Sequence, residues 1–247
     1  MKINLRTIFT CIGCMAISSV FYGFYVVRPI KIKSQQNFPV KMAEPSDAVL
    51  SSSGNTYFVV SDNGFFAEVN FDGTVIRKTK EMGMDFEGIT LRNGKLYLMD
   101  ESLRQVKIFD EQTFQLEKTI SLKYSGARNK GFEAITYNES KGCFIAVTEK
   151  EAVQVFEFDD NFQYKGEVKF DKSVRDVSSA TWYKGELWFL SDEDRLVMKV
   201  DPTTYAIKEK YQVSIINPES IVFRNDGKMV LISDDMQRSY IYDQPKQ

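Results

Sequence analysis

The chain has 247 residues, 32 lysines and arginines, 34 aspartates and glutamates, three cysteines and no histidine. Without histidine, Ser-His-Asp and Cys-His catalytic groups cannot be built and histidine-bearing zinc sites are closed. A metal held here takes oxygen ligands and is a hard cation such as calcium; no zinc, haem or nucleotide cofactor is expected. The net charge of -2 divides unevenly. Residues 1–36 carry Lys2, Arg6, Arg28, Lys31 and Lys33 and no acid, a net of +5, whereas residues 37–247 carry 27 bases against 34 acids, a net of -7. So acidic a domain lacks the surplus of Lys and Arg that neutralises phosphates, which argues against a nucleic-acid partner.

After a short basic N-terminus (1–7) comes IFTCIGCMAISSVFYGFYVV at 8–27, twenty uncharged and mostly apolar residues. That is the length of a helix crossing a bilayer, with bases at both flanks and Tyr22, Phe24 and Tyr25 at the aromatic-belt position. An uncleaved signal anchor is the favoured reading. A cleaved signal peptide wants a shorter apolar core and an A-x-A-like site, and no clear site follows Val27. A lipoprotein signal at Cys14 would leave a very short apolar stretch. The positive-inside count slightly favours a cytoplasmic domain, but the first helix of an export-type protein argues more strongly for the outside. The expectation is a single-pass inner-membrane protein, with residues 28–37 as tether and the domain at 38–247 in the periplasm.

The domain repeats itself. A heptamer of apolar residues ending in an acid recurs as TYFVVSD at 56–62, KLYLMDE at 95–101, CFIAVTE at 143–149, ELWFLSD at 186–192 and KMVLISD at 228–234, each just after a glycine. These read as buried strands, here termed B. Upstream lies a strand A (47–51, 87–92, 133–138, 179–184, 219–224). Downstream lies a strand C ending in Asp (68–72, 105–110, 154–159, 196–201, 239–243). Four repeats continue into a strand D (74–80, 114–122, 162–170, 205–213). Strand A starts are 40, 46, 46 and 40 residues apart, the period of a propeller blade. The fifth repeat ends without D, and the extended piece at 38–42 has the length and place to supply it. The expected fold is an all-β, five-bladed propeller of four-stranded antiparallel blades, its ring closed by pairing the two ends of the chain.

In such blades the starts of A and the ends of B lie on one face. The A starts place Asp47, Glu87, Glu133, Ser179 and Glu219 near the axis, and the B ends place Asp62, Glu101, Glu149, Asp192 and Asp234 around them. Asp85, Asp100, Asp176, Glu193 and Asp235 crowd the same loops. Acids this close raise one another's pKa, bind a cation, or pair with Lys130, Lys150, Arg175 or Arg195. The expected metal ligands, for calcium, are Glu87, Glu133, Glu219 and Asp47. Asp62, Asp85, Glu101, Glu149, Asp176, Asp192 and Asp234 form a secondary acidic face. The competing reading is that strand-end acids only cap turns. The C-strand acids Asp72, Asp110, Asp159, Asp201 and Asp243, on the opposite edge, read as such caps. Cys143, Trp182 and Trp188 read as core.

The stretches SDNGFFAEVNFDGTV, MDFEGITLRNGKLYLMDE, NKGFEAITYNESKGCFIAVTEK and RDVSSATWYKGELWFLSDE resemble the SdiA-regulated family of bacterial propellers, the YjiK-like proteins. The most specific piece is Asp85-Phe86-Glu87-Gly88-Ile89 followed by Asp100-Glu101. The resemblance implies an exported or membrane-anchored propeller, distantly akin to NHL and TolB-type propellers, with no firmly attached activity. It also makes a calcium site near the axis plausible, on Glu87, Glu133 and Glu219. Asp47-Ala48-Val49 departs from the more typical Ser-Gly-hydrophobic, and Ser179 breaks the acidic ring.

The expected function is a non-enzymatic binding module offering its acidic face to calcium, a cationic ligand or a protein partner. The alternative is a calcium-dependent hydrolase (lactonase, esterase or phosphoesterase) with a carboxylate such as Glu87 or Glu133 as general base. A third reading is a scaffold whose acids only cap turns.

Overall fold

The computed structural model describes residues 27–123, 131–148 and 152–245. Apart from Val27, the apolar segment at 8–27 lies outside them, as do Glu149, Lys130 and Lys150. Among the described residues no helix is long and apolar enough to cross a membrane.

The chain begins with two short strands, β1 (Ile30–Lys31) and β2 (Gln36–Pro39). Blade 1 follows as β3 (Pro45–Leu50), β4 (Thr56–Ser61), β5 (Phe65–Asn70) and β6 (Val75–Lys78). Blade 2 is β7 (Phe86–Arg92), β8 (Lys95–Asp100), β9 (Gln105–Asp110) and β10 (Leu116–Ser121). Blade 3 is β11 (Phe132–Asn138), β12 (Cys143–Thr148), β13 (Gln154–Phe158) and β14 (Tyr164–Lys169). Blade 4 is β15 (Ser179–Tyr183), β16 (Glu186–Ser191), β17 (Leu196–Val200) and β18 (Ile207–Gln212). Blade 5 is β19 (Pro218–Phe223), β20 (Lys228–Ser233) and β21 (Arg238–Asp243), completed by β2.

The five antiparallel blades fall on the five sequence repeats. The glycines before each heptamer, Gly54, Gly94, Gly142, Gly185 and Gly227, all have positive φ, which lets the A–B hairpin turn tightly where a side chain would be strained. The acids Asp62, Glu101, Asp192 and Asp234 of the described heptamers fall one residue past the end of their strands. β2 pairs antiparallel with β21, Phe38 opposite Ser239, so the chain ends close the ring as the missing D strand required. It lies two residues earlier than 38–42, because Val40 and Met42 turn inward into the core instead. One strand has no sequence signal: β1 lies parallel to β18 and gives blade 4 a fifth strand.

The second strands of the blades are among the most enclosed. All of β4 and β12 is buried, because both faces are covered by neighbouring blades. Five apolar clusters fill the spaces between blades. Phe58, Phe66, Phe86 and Phe109 lie between blades 1 and 2, and Tyr183 stacks on Phe223 at 4.4 Å between blades 4 and 5. Cys143 and Trp188 are core, and Trp182 is partly buried against a neighbouring cluster.

Candidate functional site

The blades converge on an axial pocket of about 400 Å³. Eight carboxylates line it: Asp62, Glu87, Glu101, Glu133, Asp176, Asp192, Glu219 and Asp234, with Pro45, Ser46, Ser178 and Asn217. Among the described lining residues there is no lysine or arginine. Arg175, a candidate neutralising base, instead pairs with Asp194 at 2.6 Å and Glu193 at 3.3 Å on the exposed rim.

A repeated local distortion aims the inner ring. Between Phe86 and Gly88, Phe132 and Ala134, and Pro218 and Ser220 the ladder slips by one residue, leaving Glu87, Glu133 and Glu219 at bulges. A bulged residue is turned out of the alternating pattern, and here it faces the axis. Blade 1 has the same slip between Pro45 and Asp47, so the residue equivalent to the three glutamates is Ser46. In blade 4 the pocket-lining residue just before β15 is Ser178. The axial ring is therefore Ser46, Glu87, Glu133, Ser178 and Glu219.

Asp47 does not join that ring. It sits one position deeper, level with Gly88, Ala134, Ser179 and Ser220, and is 1% exposed. It accepts hydrogen bonds from the Ile89 backbone N–H at 3.0 Å and Ser179 Oγ at 2.8 Å, thereby linking blade 1 to blades 2 and 4 across the axis. Burial pushes its pKa up to about 7 against these bonds. Small residues make the layer possible: a Cβ on Gly88 would lie 2.8 Å from the Glu133 carbonyl oxygen.

The outer acids are held by specific donors. Ser46 Oγ donates to Asp62, Ser102 Oγ to Asp85 at 2.5 Å, Ser191 Oγ to Asp176 at 2.6 Å, and the Gly131 N–H to Glu101 at 2.7 Å. A side chain on Gly131 would collide with Glu101. Asp85, Glu87 and Glu101 each bring a carboxylate oxygen within 4.8 Å of the others, a spacing that can hold one metal ion. Asp100 plays a different part. Fully buried, it pairs with Lys107 at 2.9 Å and accepts from the Met84 and Leu103 N–H groups, both at 3.2 Å. Lys107 also donates to the Met82 carbonyl at 2.7 Å, which pins the loop that carries Asp85.

The pocket strongly disfavours full ionisation. Burial first, then Asp62, Asp85 and Glu101, push Glu87 up to about 10. Burial and the nearby Asp192, Asp62, Asp234 and Asp176 push Glu219 up to about 9. Asp176 rises to about 8 through burial and its contact with Asp192; Asp234 rises to about 6, mainly through burial and Glu44. Two non-glycine residues before prolines, Glu44 (φ 47°) and Asn217 (φ 48°), hold left-handed backbone at the starts of β3 and β19. Such conformations are strained and cluster at functional sites.

The sequence pattern brought out the eight lining carboxylates; Ser46, Ser178 and Asn217 escaped it. Four of the C-strand acids behave as turn caps, as expected, whereas Asp243 takes side-chain partners. Asp72 accepts the Thr74 N–H, Asp110 the Gln112 and Thr113 N–H groups, Asp159 that of Asn161, and Asp201 those of Thr203 and Thr204. Asp243 pairs with Lys228.

The profile of the SdiA-regulated family matches residues 42–211, more than half of the chain and the region that builds most of this pocket. The chain belongs to the SdiA-regulated family. No curated protein sequence matches it. Among solved structures, this SdiA-regulated propeller is similar to Myxococcus xanthus glutaminyl cyclase (TM-score 0.71, 15% identity, 87% of this chain and 97% of that one). It is also similar to the Myceliophteria thermophila Cps50 (Swd1) propeller domain (TM-score 0.56, 9% identity, covering 85% and 98%). A third likeness is to a streptogramin B lyase (TM-score 0.50, 12% identity, covering 85% and 73%). At these identities the likeness concerns the fold alone.

Proposed function

We propose that this member of the SdiA-regulated family is a membrane-tethered, extracytoplasmic binding propeller whose axial pocket takes a divalent cation, calcium. Asp85, Glu87 and Glu101 are its first ligands, with Glu133 and Glu219 facing the same space. The observation that carries this reading is three carboxylate oxygens within 4.8 Å, two of them on Glu87 and Glu101, which line a pocket with eight acids and no base among its described lining residues. A hard cation is the ligand that oxygen donors of this kind select. Asp47, being enclosed one layer below, holds the blades together and is not among the proposed ligands.

Thermal melting in calcium, against sodium and a chelator, tests this. At calcium a hundredfold above Kd, native-state binding contributes about 2.7 kcal/mol, a Tm rise of roughly 5–10 °C for a domain of this size. Glu87→Gln removes that rise. An unchanged Tm in calcium would reduce the acids to turn caps.

Pocket size supports a second reading. About 400 Å³ exceeds what one ion fills, and Asp176, pushed up to about 8, changes protonation close to neutral pH. The fold also carries enzymes, to judge by the glutaminyl cyclase and the lyase it is similar to. A calcium-dependent hydrolase using Glu133 as base is the form this takes. Lactones, aryl esters and phosphoesters, assayed with calcium and with chelator, decide it: turnover lost in Glu133→Gln without unfolding establishes the enzyme.

A further inference from the structure

The edge strand β1 fixes how the propeller leaves the membrane. β18 runs toward the acidic face, since β16 ends at Ser191 beside pocket-lining Asp192, β17 departs, and β18 returns with Gln212 opposite Leu196. β1 is parallel to β18, Ile30 against Tyr211 and Lys31 against Gln212, and the Ile32 N–H extends the pairing to the Gln212 carbonyl at 3.0 Å. Followed backwards from Lys31, the chain therefore moves away from the pocket. Ile30 is three residues after Val27, where the apolar segment ends, and three residues reach at most about 10 Å. The outer edge of blade 4 must then lie within about a Debye length of any bilayer holding that segment.

That edge is basic. Arg28, Lys31 and Lys33 are exposed on and around β1 beside β18, in a stretch with no acid; Lys208 on β18 is exposed too, paired with Asp201 at 3.2 Å. Exposed bases next to a membrane segment are drawn to anionic headgroups, whereas the acidic pocket face is repelled by them. Blades 1 and 2 lie across the ring, and their outer strands have no such link to the apolar segment.

We propose that the outer edge of blade 4 and its turn at Thr203 rest on an anionic lipid surface, with the acidic pocket held away from it. This rests on the tether reading above, and the experiment separates the two. Full-length protein carrying Cys11→Ser and Cys14→Ser, with the buried Cys143 retained, is reconstituted into vesicles of equal parts phosphatidylglycerol and phosphatidylcholine. A fluorophore is placed in turn at Thr203→Cys, Lys118→Cys on blade 2 and Asp235→Cys on the acidic face, with quencher on the lipid headgroups. Quenching at Thr203, with little at Lys118 or Asp235, is the expected result, and Lys31→Glu with Lys33→Glu weakens it. Equal quenching at all three positions on vesicle-bound protein overturns the orientation alone. Release of the protein by an alkaline carbonate wash overturns the tether, and the orientation with it.

Discussion

The two faces of this propeller use the same residue types to opposite ends. On the face away from the pocket, the acids closing the C strands accept backbone N–H groups from the turns they begin. Asp110 is held down to about 2, chiefly by Thr113, and Asp201 is held well below the ordinary carboxylate range by Thr204 and Thr203. On the axial face, acids face one another in a pocket where burial and like charge push Glu87, Glu219 and Asp176 far up. Acidity on the surface of a fold therefore says little by itself. What separates a capped turn from a candidate site is whether a carboxylate stays exposed on its turn donors or is buried among other acids, as Asp176 is even though it accepts from Ser191.

The largest expected effect comes from the buried pocket-side pair of Asp100 with Lys107. Lys107→Met leaves Asp100 buried and unpaired, and breaking a buried pair costs about 3–5 kcal/mol. Denaturant unfolding should show that loss; a change below 1 kcal/mol would mean that Asp100 is held by its backbone donors alone.

Glu87→Gln should act in the other direction. In chelator near pH 8, wild-type Glu87 must either stay protonated or ionise among other acids, so glutamine should stabilise the folded chain by a few kcal/mol. Near pH 4 the two proteins should converge. A destabilised mutant at pH 8 would show that the pocket acids are already neutralised.

The pH profile follows with opposite signs for the two faces. Glu87 binds its proton more tightly in the folded chain, so its unfolded form ionises first, from about 4.5, and stability falls as pH rises toward about 10. Asp110 is depressed when folded, so its contribution is present above the ordinary 3.8 and is lost as pH falls through about 2. Without calcium, Tm should peak between about pH 4 and 5. Calcium should lift the alkaline limb and leave the acid limb in place; a calcium effect equal on both limbs would point to binding outside the pocket. The smallest change should be Asp201→Ala, which removes one turn cap and leaves calcium binding intact.

The blade count, the closing strand and the acidic face were legible because they depend on repeating features: apolar runs, glycine turns and terminal acids. The assignment of Asp47 to the inner ring failed for a local reason. A bulge inserts one residue without changing the pattern of apolar and polar positions, so Ser46-Asp47 aligned by its acid when it should have aligned by its bulge. The small residues Gly88, Ala134, Ser179 and Ser220 were the signal available, since an aspartate level with them points into the closed layer of the axis. β1 left no trace because two residues carry no periodicity.

The closing strand also sets the order in which the protein can be completed. Phe38 and Ser239 are 201 residues apart, yet they pair in the same blade. A ribosome releases β2 about two hundred residues before β21, so blade 5 stays an open edge while the four blades between them are made. Closing a loop about ten times longer than a hairpin adds only about 2 kcal/mol of chain entropy. The delay is therefore one of timing more than of stability, and a chain cut short before β21 would carry its N-terminal strand unpaired.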